Sequence, residues 1–499
     1  MLKVFSSKQL KLLDQKTIEK QKITSLKLMK KACDAFLNWF EPRFSKSDRI
    51  KIFCGSGNNG GDALCISRML LEKNYKVKVF FFQAKKGLTK ECLFHLEELK
   101  KKKILIYDIN NISIKNIKDS DVIIDGIFGY GLSRKLNEPL IKLINHINSL
   151  TAIKISIDVP SGIPTEKVID SVFIHSDYTI TFQTPKLSFY FQEYLNYIGE
   201  IVILNLGLDK ELINKLYPIA YLIEQSDIKV KLFDRKSNSH KGTFGHGLII
   251  AGGKGKMGAC IMACKAALKS GIGLLTSYVP GVGENIIQTS VPEAMLIIDK
   301  SNIEITSFPK LDSYKVIGIG PGIGISKKTQ DAIIEFFKTV TIPIVVDADA
   351  LNILSKNKKI LNYLPKNSIL TPHPKEFKRL AGKYKDTFER ISLQKELSNK
   401  YQINILVKGA FTTMSDINGN LFINTTGNPG MATGGSGDVL TGIITGLMGR
   451  GYKPFIAMLV GVYLHGMSGD LAKKNLGEES LIATDLISNL PKAFKKLIN

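Results

Sequence analysis

The stretch Asn428-Pro429-Gly430-Met431-Ala432-Thr433-Gly434-Gly435-Ser436-Gly437-Asp438 runs straight into Val439-Leu440-Thr441-Gly442. Its glycines free a row of backbone N–H groups to point at one place. A helix-like apolar segment follows at once, so these donors stand at a helix N-terminus, where backbone dipoles attract anions. One carboxylate, Asp438, sits at the mouth of that site. A negative side chain is a poor phosphate ligand, but it suits a base that takes a proton from a hydroxyl while phosphate is transferred to it.

Around this stretch, short apolar runs alternate with helical patterns through all 499 residues. Ile50 to Cys54, Lys76 to Phe82, Val122 to Ile124 and Thr151 to Ile157 read as buried parallel strands, most of them followed by a helix-length segment. That rhythm predicts an α/β protein with doubly wound sheets, whose ligands bind beyond the carboxyl ends of the strands. The length calls for more than one domain. The rhythm weakens between Leu212 and Phe233 and resumes at Gly247, so the expected division is 1–222 and 223–499, two different α/β domains.

Composition narrows the class. Hydrophobic residues make up 44% and charged residues 23%, as in soluble globular proteins. The net charge of +24 comes from lysines spread along the chain, without interleaved arginines and aromatics, so nucleic acid is not an expected partner. Six cysteines (33, 54, 65, 92, 260, 264) form no CxxC pair and read as reduced thiols of a cytoplasmic protein. The N-terminus lacks the apolar core of a signal peptide, and Phe455 to Met467, the nearest thing to a membrane span, is interrupted by His465 and glycines. No membrane partner is expected; a homo-oligomer is.

In the first half, three loops place acids beside glycines just after strands: Gly55-Ser56-Gly57-Asn58-Asn59-Gly60-Gly61-Asp62, Asp125-Gly126-Ile127-Phe128-Gly129-Tyr130-Gly131 and Asp158-Val159-Pro160-Ser161-Gly162. At one edge of one sheet they should converge on one pocket. Asn59, Asp125 and Ser161 can share a monovalent cation, leaving Asp158 for proton transfer. In this order and spacing the motifs resemble the NAD(P)H-hydrate epimerase domain, with its Rossmann-like fold, over about residues 1 to 215. The resemblance implies hydrate binding by Asn58, Asn59, Gly60, Gly61 and Asp62, by Gly129, Tyr130, Gly131, Leu132, Ser133, Arg134 and Lys135, and by Asp158. It also implies potassium at Asn59, Asp125 and Ser161. Ala63 stands where that family commonly has glycine, which is expected to tighten the loop without removing a chemical group.

In the second half, Gly252 to Ala259 opens a helix from Cys260 to Ser270, and Gly318 to Gly324 exposes more backbone. Asp347 and Asp349 close a strand and can hold magnesium directly or through water. His373, fixed between Pro372 and Pro374, suits a stationary hydrogen-bond partner. Lys408 to Thr412 follows the strand Ile403 to Val407 and can grip a nucleotide phosphate. The GSGD segment resembles the ribokinase-like superfamily. The set GGKGKMGA, GPGIG, DADAL, LTPHPKEF, VKGAFT and GMATGGSGDVLTG is similar, more closely, to the ADP-dependent NAD(P)H-hydrate dehydratase domain over about 225 to 499. The resemblance implies hydrate contacts at Ala259, Gly322, His373 and Asp438. It implies nucleotide contacts at Lys408, Gly409, Ala410, Phe411, Thr412 and Gly437, with ADP as co-substrate and NADHX and NADPHX as substrates. From the residues alone, a small-molecule hydroxyl kinase fused to a non-catalytic ligand-binding domain is the alternative, since its base and anion site would look the same.

Overall fold

A computed structural model describes residues 1–83, 87–111, 113–131 and 135–498. The chain divides into two compact units. One comprises Lys3–Ala220 with Asp386–Phe388; the other comprises Met1–Leu2, Tyr221–Lys385 and Glu389–Asn499.

Apart from β1 (Leu2–Val4), the first half supplies β2 (Arg49–Cys54), β3 (Lys76–Phe81), β4 (Ile106–Asp108), β5 (Val122–Gly126), β6 (Ile153–Ile157), β7 (Tyr178–Phe182) and β8 (Glu200–Leu204). They form one sheet in the order β4-β3-β2-β5-β6-β7-β8, with every neighbouring pair parallel. Both faces are covered, and the period-two alternation of strand side chains decides which residue serves which face. Ile50, Ile52 and Cys54 pack with the helices Ser25–Phe40, Asn58–Glu72 and Lys90–Lys101. Phe53 and Ile123 pack with Glu138–Ser149 on the other side. The strand order reverses between β2 and β5, and there Gly55 N donates to Gly126 O at 3.1 Å. Such a switch point opens a crevice at the strand ends.

The second unit repeats the principle with β9 (Ala220–Leu222), β10 (His246–Ile250), β11 (Leu274–Val279), β12 (Met295–Ile298), β13 (Val316–Ile319), β14 (Ile344–Val346), β15 (Ile369–Leu370), β16 (Asn404–Val407), β17 (Thr413–Ser415) and β18 (Leu421–Ile423). Its sheet order is β1-β9-β18-β17-β16-β15-β14-β13-β10-β11-β12. The pairs from β12 to β16 are parallel, and β16, β17 and β18 form an antiparallel meander. Here the reversal falls between β10 and β13, where Gly252 N donates to Pro321 O at 2.7 Å.

Several sequence expectations need correction. Asp125 and Gly126 belong to β5 itself rather than to the loop after it. The helix expected from Cys260 starts at Met257. The apolar segment around Phe455 is not broken: Pro454–Leu476 is one 23-residue helix, long and apolar enough to cross a membrane by length and composition. Of its most apolar 18-residue window, 78% is buried inside the protein, so its hydrophobicity serves a core. The glycines are what let it pack: a Cβ on Gly466 would lie 2.3 Å from Thr426 Oγ1, and one on Gly469 2.2 Å from Met431 Sδ.

Candidate active sites

In the first unit, tight backbone contact builds the crevice. A Cβ on Gly60 would stand 1.8 Å from Gly55 O, so only glycine closes this turn and lets Asn58 begin its helix. The methyl of Ala63 lies against Gly126, where an added Cβ would be only 2.5 Å away. The Asn59 amide nitrogen donates to Phe128 O (2.8 Å) and Ile157 O (3.1 Å), lacing together the ends of β2, β5 and β6.

Asp125 is wholly buried beneath these loops. Its carboxylate accepts from Ser161 Oγ (2.5 Å), Ser161 N (2.8 Å), Ser156 Oγ (2.8 Å) and Ile127 N (3.2 Å). Burial pushes its pKa up, and these four donors pull against that. Asn59 and Ser161 meet at the Phe128 carbonyl, which Ser161 Oγ approaches at 3.4 Å. The three residues expected to share a cation are therefore together. A buried carboxylate with hydroxyl and carbonyl oxygens around it is the hard donor set that an alkali cation takes.

Above them is a cavity of about 650 Å³. Of the expected hydrate-binding residues, Asn58, Asn59, Asp62, Gly129, Tyr130, Gly131 and Asp158 line it. Gly60 and Gly61 lie buried behind, within the first turn of the helix. Lys135 is exposed and does not line the cavity, and Leu132, Ser133 and Arg134 lie outside the described residues.

Asp158 has φ +63°, a left-handed conformation that costs energy in a side-chain-bearing residue and persists where its surroundings enforce it. Here the enforcing contact is a buried ion pair with Lys186 Nζ at 2.7 Å, supported by Thr181 Oγ1, which donates to the same carboxylate oxygen at 3.2 Å. Lys186 Nζ also lies 5.8 Å from the Tyr130 ring centre. Lys186 and Asp14 are two of the cavity residues that escaped the sequence reading. Lys186 follows β7 at the same sheet edge, so the rule that located the other loops extends to it. Asp14 sits on the helix Ser7–Gln21 between the buried Leu10, Leu13 and Thr17; a carboxylate on the apolar face of an amphipathic helix was its signal. Burial, reinforced by Asp158, pushes Asp14 up to about 6. Burial also raises Asp62 well above the usual carboxylate range.

In the second unit, the Gly-rich run turns into the helix Ser436–Gly449 through Gly435, whose φ of +92° favours glycine. The helix passes close over Met257–Lys269: a Cβ on Gly442 would be 2.1 Å from Ala263 O. This packing fixes Asp438 in the first helical turn, beside Asp347 and Lys408. Lys408 Nζ pairs with Asp347 Oδ1 at 2.8 Å, and Thr441 Oγ1 donates to Oδ2 at 2.7 Å. A Cβ on Gly437 would come within 3.1 Å of Lys408 Nζ, so Gly437 keeps the approach to that ammonium open. Asp438 is pushed up to about 6, mainly by burial and then by Asp347; Lys408 opposes, while Asp349 and Glu376 add to the rise.

His373 caps the helix Pro374–Ala381. Its Nδ1 accepts from Lys375 N (3.1 Å) and Glu376 N (3.4 Å), and Glu376 Oε2 accepts from His373 N (2.8 Å) in return. Burial and the nearby Lys408 lower its pKa. A neutral ring accepting at Nδ1 carries its proton on Nε2, which lies 3.4 Å from Glu376 Oε1; the His373 side chain is 43% exposed. Ala259 and Gly322 also meet, since a Cβ on Gly322 would lie 3.2 Å from Ala259 Cβ. Gly409 and Ala410 are exposed at the turn after β16, and Thr412 Oγ1 closes that turn onto Gly409 O at 3.3 Å. Phe411 is half-buried in the same turn.

For magnesium the fit is limited. Both Asp347 oxygens are engaged, and Asp349 Oδ2 accepts from Gly324 N at 2.8 Å with Lys256 Nζ 3.5 Å away. Among the described residues no group of three or more His, Cys, Asp or Glu can hold a metal. Direct coordination by Asp347 would displace Lys408 or Thr441, which leaves the water-bridged arrangement. The sequence reading also missed His465. Half-buried, with its pKa lowered to about 4 by desolvation, it lies 2.9 Å from Ser436 O and 3.2 Å from Ser436 Oγ, bracing the start of the Asp438 helix.

Known proteins match both units. The family model described as YjeF-related protein N-terminus covers residues 25–188, and that described as NAD(P)H-hydrate dehydratase covers residues 247–492. The bifunctional NAD(P)H-hydrate repair enzyme Nnr of Moorella thermoacetica is 33% identical over 97% of this chain and 95% of its own. A ribokinase-like superfamily protein from Enterococcus faecalis V583 superposes with a TM-score of 0.51 at 28% identity, covering 56% of this chain and 98% of its own. The ADP/ATP-dependent NAD(P)H-hydrate dehydratase of Bacillus subtilis, co-crystallised with ATP and magnesium, is 29% identical over 56% of this chain and 99% of its own, with a TM-score of 0.49. With a third of its residues shared across nearly the full length of a curated relative, and both family models in order along it, the chain belongs to the bifunctional NAD(P)H-hydrate repair enzymes, an epimerase domain followed by a dehydratase domain.

Proposed function

We propose that the second unit dehydrates the S epimer of NADHX and NADPHX with ADP as phosphoryl donor, giving AMP, phosphate and the reduced cofactor. The first unit, in this reading, interconverts the R and S epimers. The observation that carries the first statement is Asp438 in the first turn of a helix whose Gly-rich start aims backbone donors at the same place, beside Lys408.

In the hydrate, the hydroxyl sits on the carbon next to the ring nitrogen. Hydroxide leaves poorly and phosphate leaves well. Asp438 accepts the hydroxyl proton as that oxygen attacks the terminal phosphoryl of ADP, and the Gly434 to Gly437 amides with Lys408 balance the charge on the transferring group. The nitrogen lone pair then expels phosphate, and loss of a proton from the adjacent carbon restores the dihydropyridine. His373 Nε2–H, Ala259 and Gly322 orient the hydrate, and Lys408 to Thr412 hold the nucleotide. Magnesium, reaching the protein through water, would neutralise phosphate charge.

In the first unit, Asn59, Asp125 and Ser161 would hold potassium, which supplies fixed positive charge beneath the substrate loops. Asn58, Asp62, Tyr130 and the backbone of Gly129 and Gly131 face the hydrate, and Asp158 serves in proton transfer. All six thiols are free and buried, in keeping with the reducing cytoplasm in which we place the enzyme.

The test is an assay of mixed-epimer NADHX with ADP or ATP, following nicotinamide absorbance and released phosphate. Equal yields of both, exhausting the two epimers, are expected. A stable phosphorylated product would instead identify a kinase.

A further inference from the structure

The cavity of the first unit holds two carboxylates in opposite environments. Asp158 Oδ1 accepts from the Lys186 ammonium at 2.7 Å and from the Thr181 hydroxyl at 3.2 Å. Lys186 is itself 2% exposed, and its remaining hydrogen bonds go to Thr181 Oγ1 (2.9 Å) and Thr184 O (3.3 Å), so its charge is committed to Asp158. Asp14 comes from a different element, the N-terminal helix, and among the described residues no salt bridge reaches it. The groups that act on it are Asp158, Lys186 and the Tyr130 hydroxyl, with Asp62 on the adjoining wall. A carboxyl set among other carboxylates, with the Lys186 ammonium already paired, favours its neutral form. Asp14 and Asp158 both line the same 650 Å³ cavity.

We propose that Asp14 is a second catalytic group of the epimerase, the acid that works opposite the base Asp158. The assignment rests on the epimerase reading of this cavity and adds to it the residue that completes a proton relay. The hydrate is a hemiaminal, so its configuration can invert by opening and closing the ring. Asp158 takes the hydroxyl proton, the C–O bond becomes C=O, and the carbon–nitrogen bond breaks with its electron pair passing to the ring nitrogen. Asp14 protonates that nitrogen. Rotation about the neighbouring carbon–carbon bond turns the other aldehyde face to the amine. Closure returns the nitrogen's proton to Asp14 and the proton on Asp158 to the oxygen. No co-reactant is consumed, and the two carboxyl groups end as they began. The elevated value of Asp14, about 6, supports its serving as the acid near neutral pH.

The experiment uses the full chain with potassium and without nucleotide, measuring conversion of purified R epimer to S by chromatography. Asp14→Asn should lower kcat for epimerisation by about 10²-fold or more, the usual worth of a positioned general acid, while KM stays within threefold. The alkaline limb of the kcat/KM profile near pH 6 should disappear. Dehydration of purified S epimer with ADP should be unchanged, which reports that the variant is folded. Asp14→Glu should recover part of kcat. The assignment is overturned if Asp14→Asn keeps more than a tenth of kcat with its pH profile intact. It is equally overturned if the Asn and Glu variants fail alike through a raised KM, which marks a packing role. If the unaltered protein does not interconvert the epimers at all, the epimerase reading fails, and this assignment with it.

Discussion

Replacing Asp438 with Asn should stabilise the protein while abolishing dehydration, and the two effects have one cause. Asp438 has its pKa raised from 3.8 to about 6, first by burial and then by Asp347. A carboxylate raised on folding disfavours the folded state once it ionises. The cost is absent below about pH 4, where folded and unfolded chains are both protonated, grows between pH 4 and 6, and is complete above pH 6. The difference of about 2 pH units corresponds to roughly 3 kcal/mol at pH 7.5. Asn carries no charge and escapes this cost. At about 2 °C per kcal/mol for a unit of this size, the melting transition of the second unit should rise by about 5 °C at pH 7.5 and stay level at pH 4. Calorimetry of the full chain without nucleotide reads the first effect, and phosphate release from S-NADHX with ADP reads the second. A variant that melts at or below the parent temperature at pH 7.5 would refute the electrostatic argument. Near-normal turnover would refute the role of Asp438 as base.

Three further outcomes follow from contacts elsewhere. Lys408→Met strands the buried Asp347 and should cost about 3 kcal/mol, the low end for a broken buried pair because Lys408 is 23% exposed; Asp347→Asn/Lys408→Met should recover more than half of that in urea titrations. Gly60→Ala drives a methyl into Gly55 O and should destabilise the first unit by about 4 kcal/mol or more, seen as early loss of its calorimetric transition while the second unit still turns over S epimer. Asp125→Asn removes the charge expected to hold potassium. The parent should gain about 2.7 kcal/mol at potassium a hundredfold above its dissociation constant, and the variant should melt alike in potassium and lithium chloride.

The doubly wound architecture was legible because buried parallel strands write themselves as continuous apolar runs, and their ends as Gly-rich loops with acids. β2, β3 and β6 therefore sit within two residues of where the hydrophobic pattern puts them. What the pattern could not express is the face a polar residue serves from inside an apolar element. His465 and the glycines around it looked like interruptions of an apolar run. In the folded chain they are the contacts by which Pro454–Leu476 holds the Gly-rich loop, with Asp470 accepting from Gly427 N (2.9 Å) and Asn428 Nδ2 (3.0 Å). Asp125 looked like a loop acid because its neighbours were glycines, yet it ends a strand and faces inward.

The same distinction separates the carboxylates by task. Unlike Asp158, whose Lys186 and Thr181 contacts both fall on Oδ1, Asp125 and Asp347 have both carboxylate oxygens filled by hydroxyls, amides or an ammonium; they lie within or just after a strand and are 0% and 1% exposed. Such groups position other residues. Asp14 and Asp438 sit on helical faces that open toward a site, have neighbours that are themselves acids, and are raised to about 6. Such groups can give and take a proton near neutral pH. Sequence motifs mark where a carboxylate stands along the chain; which of the two tasks it performs is decided by how many of its lone pairs the fold has already filled.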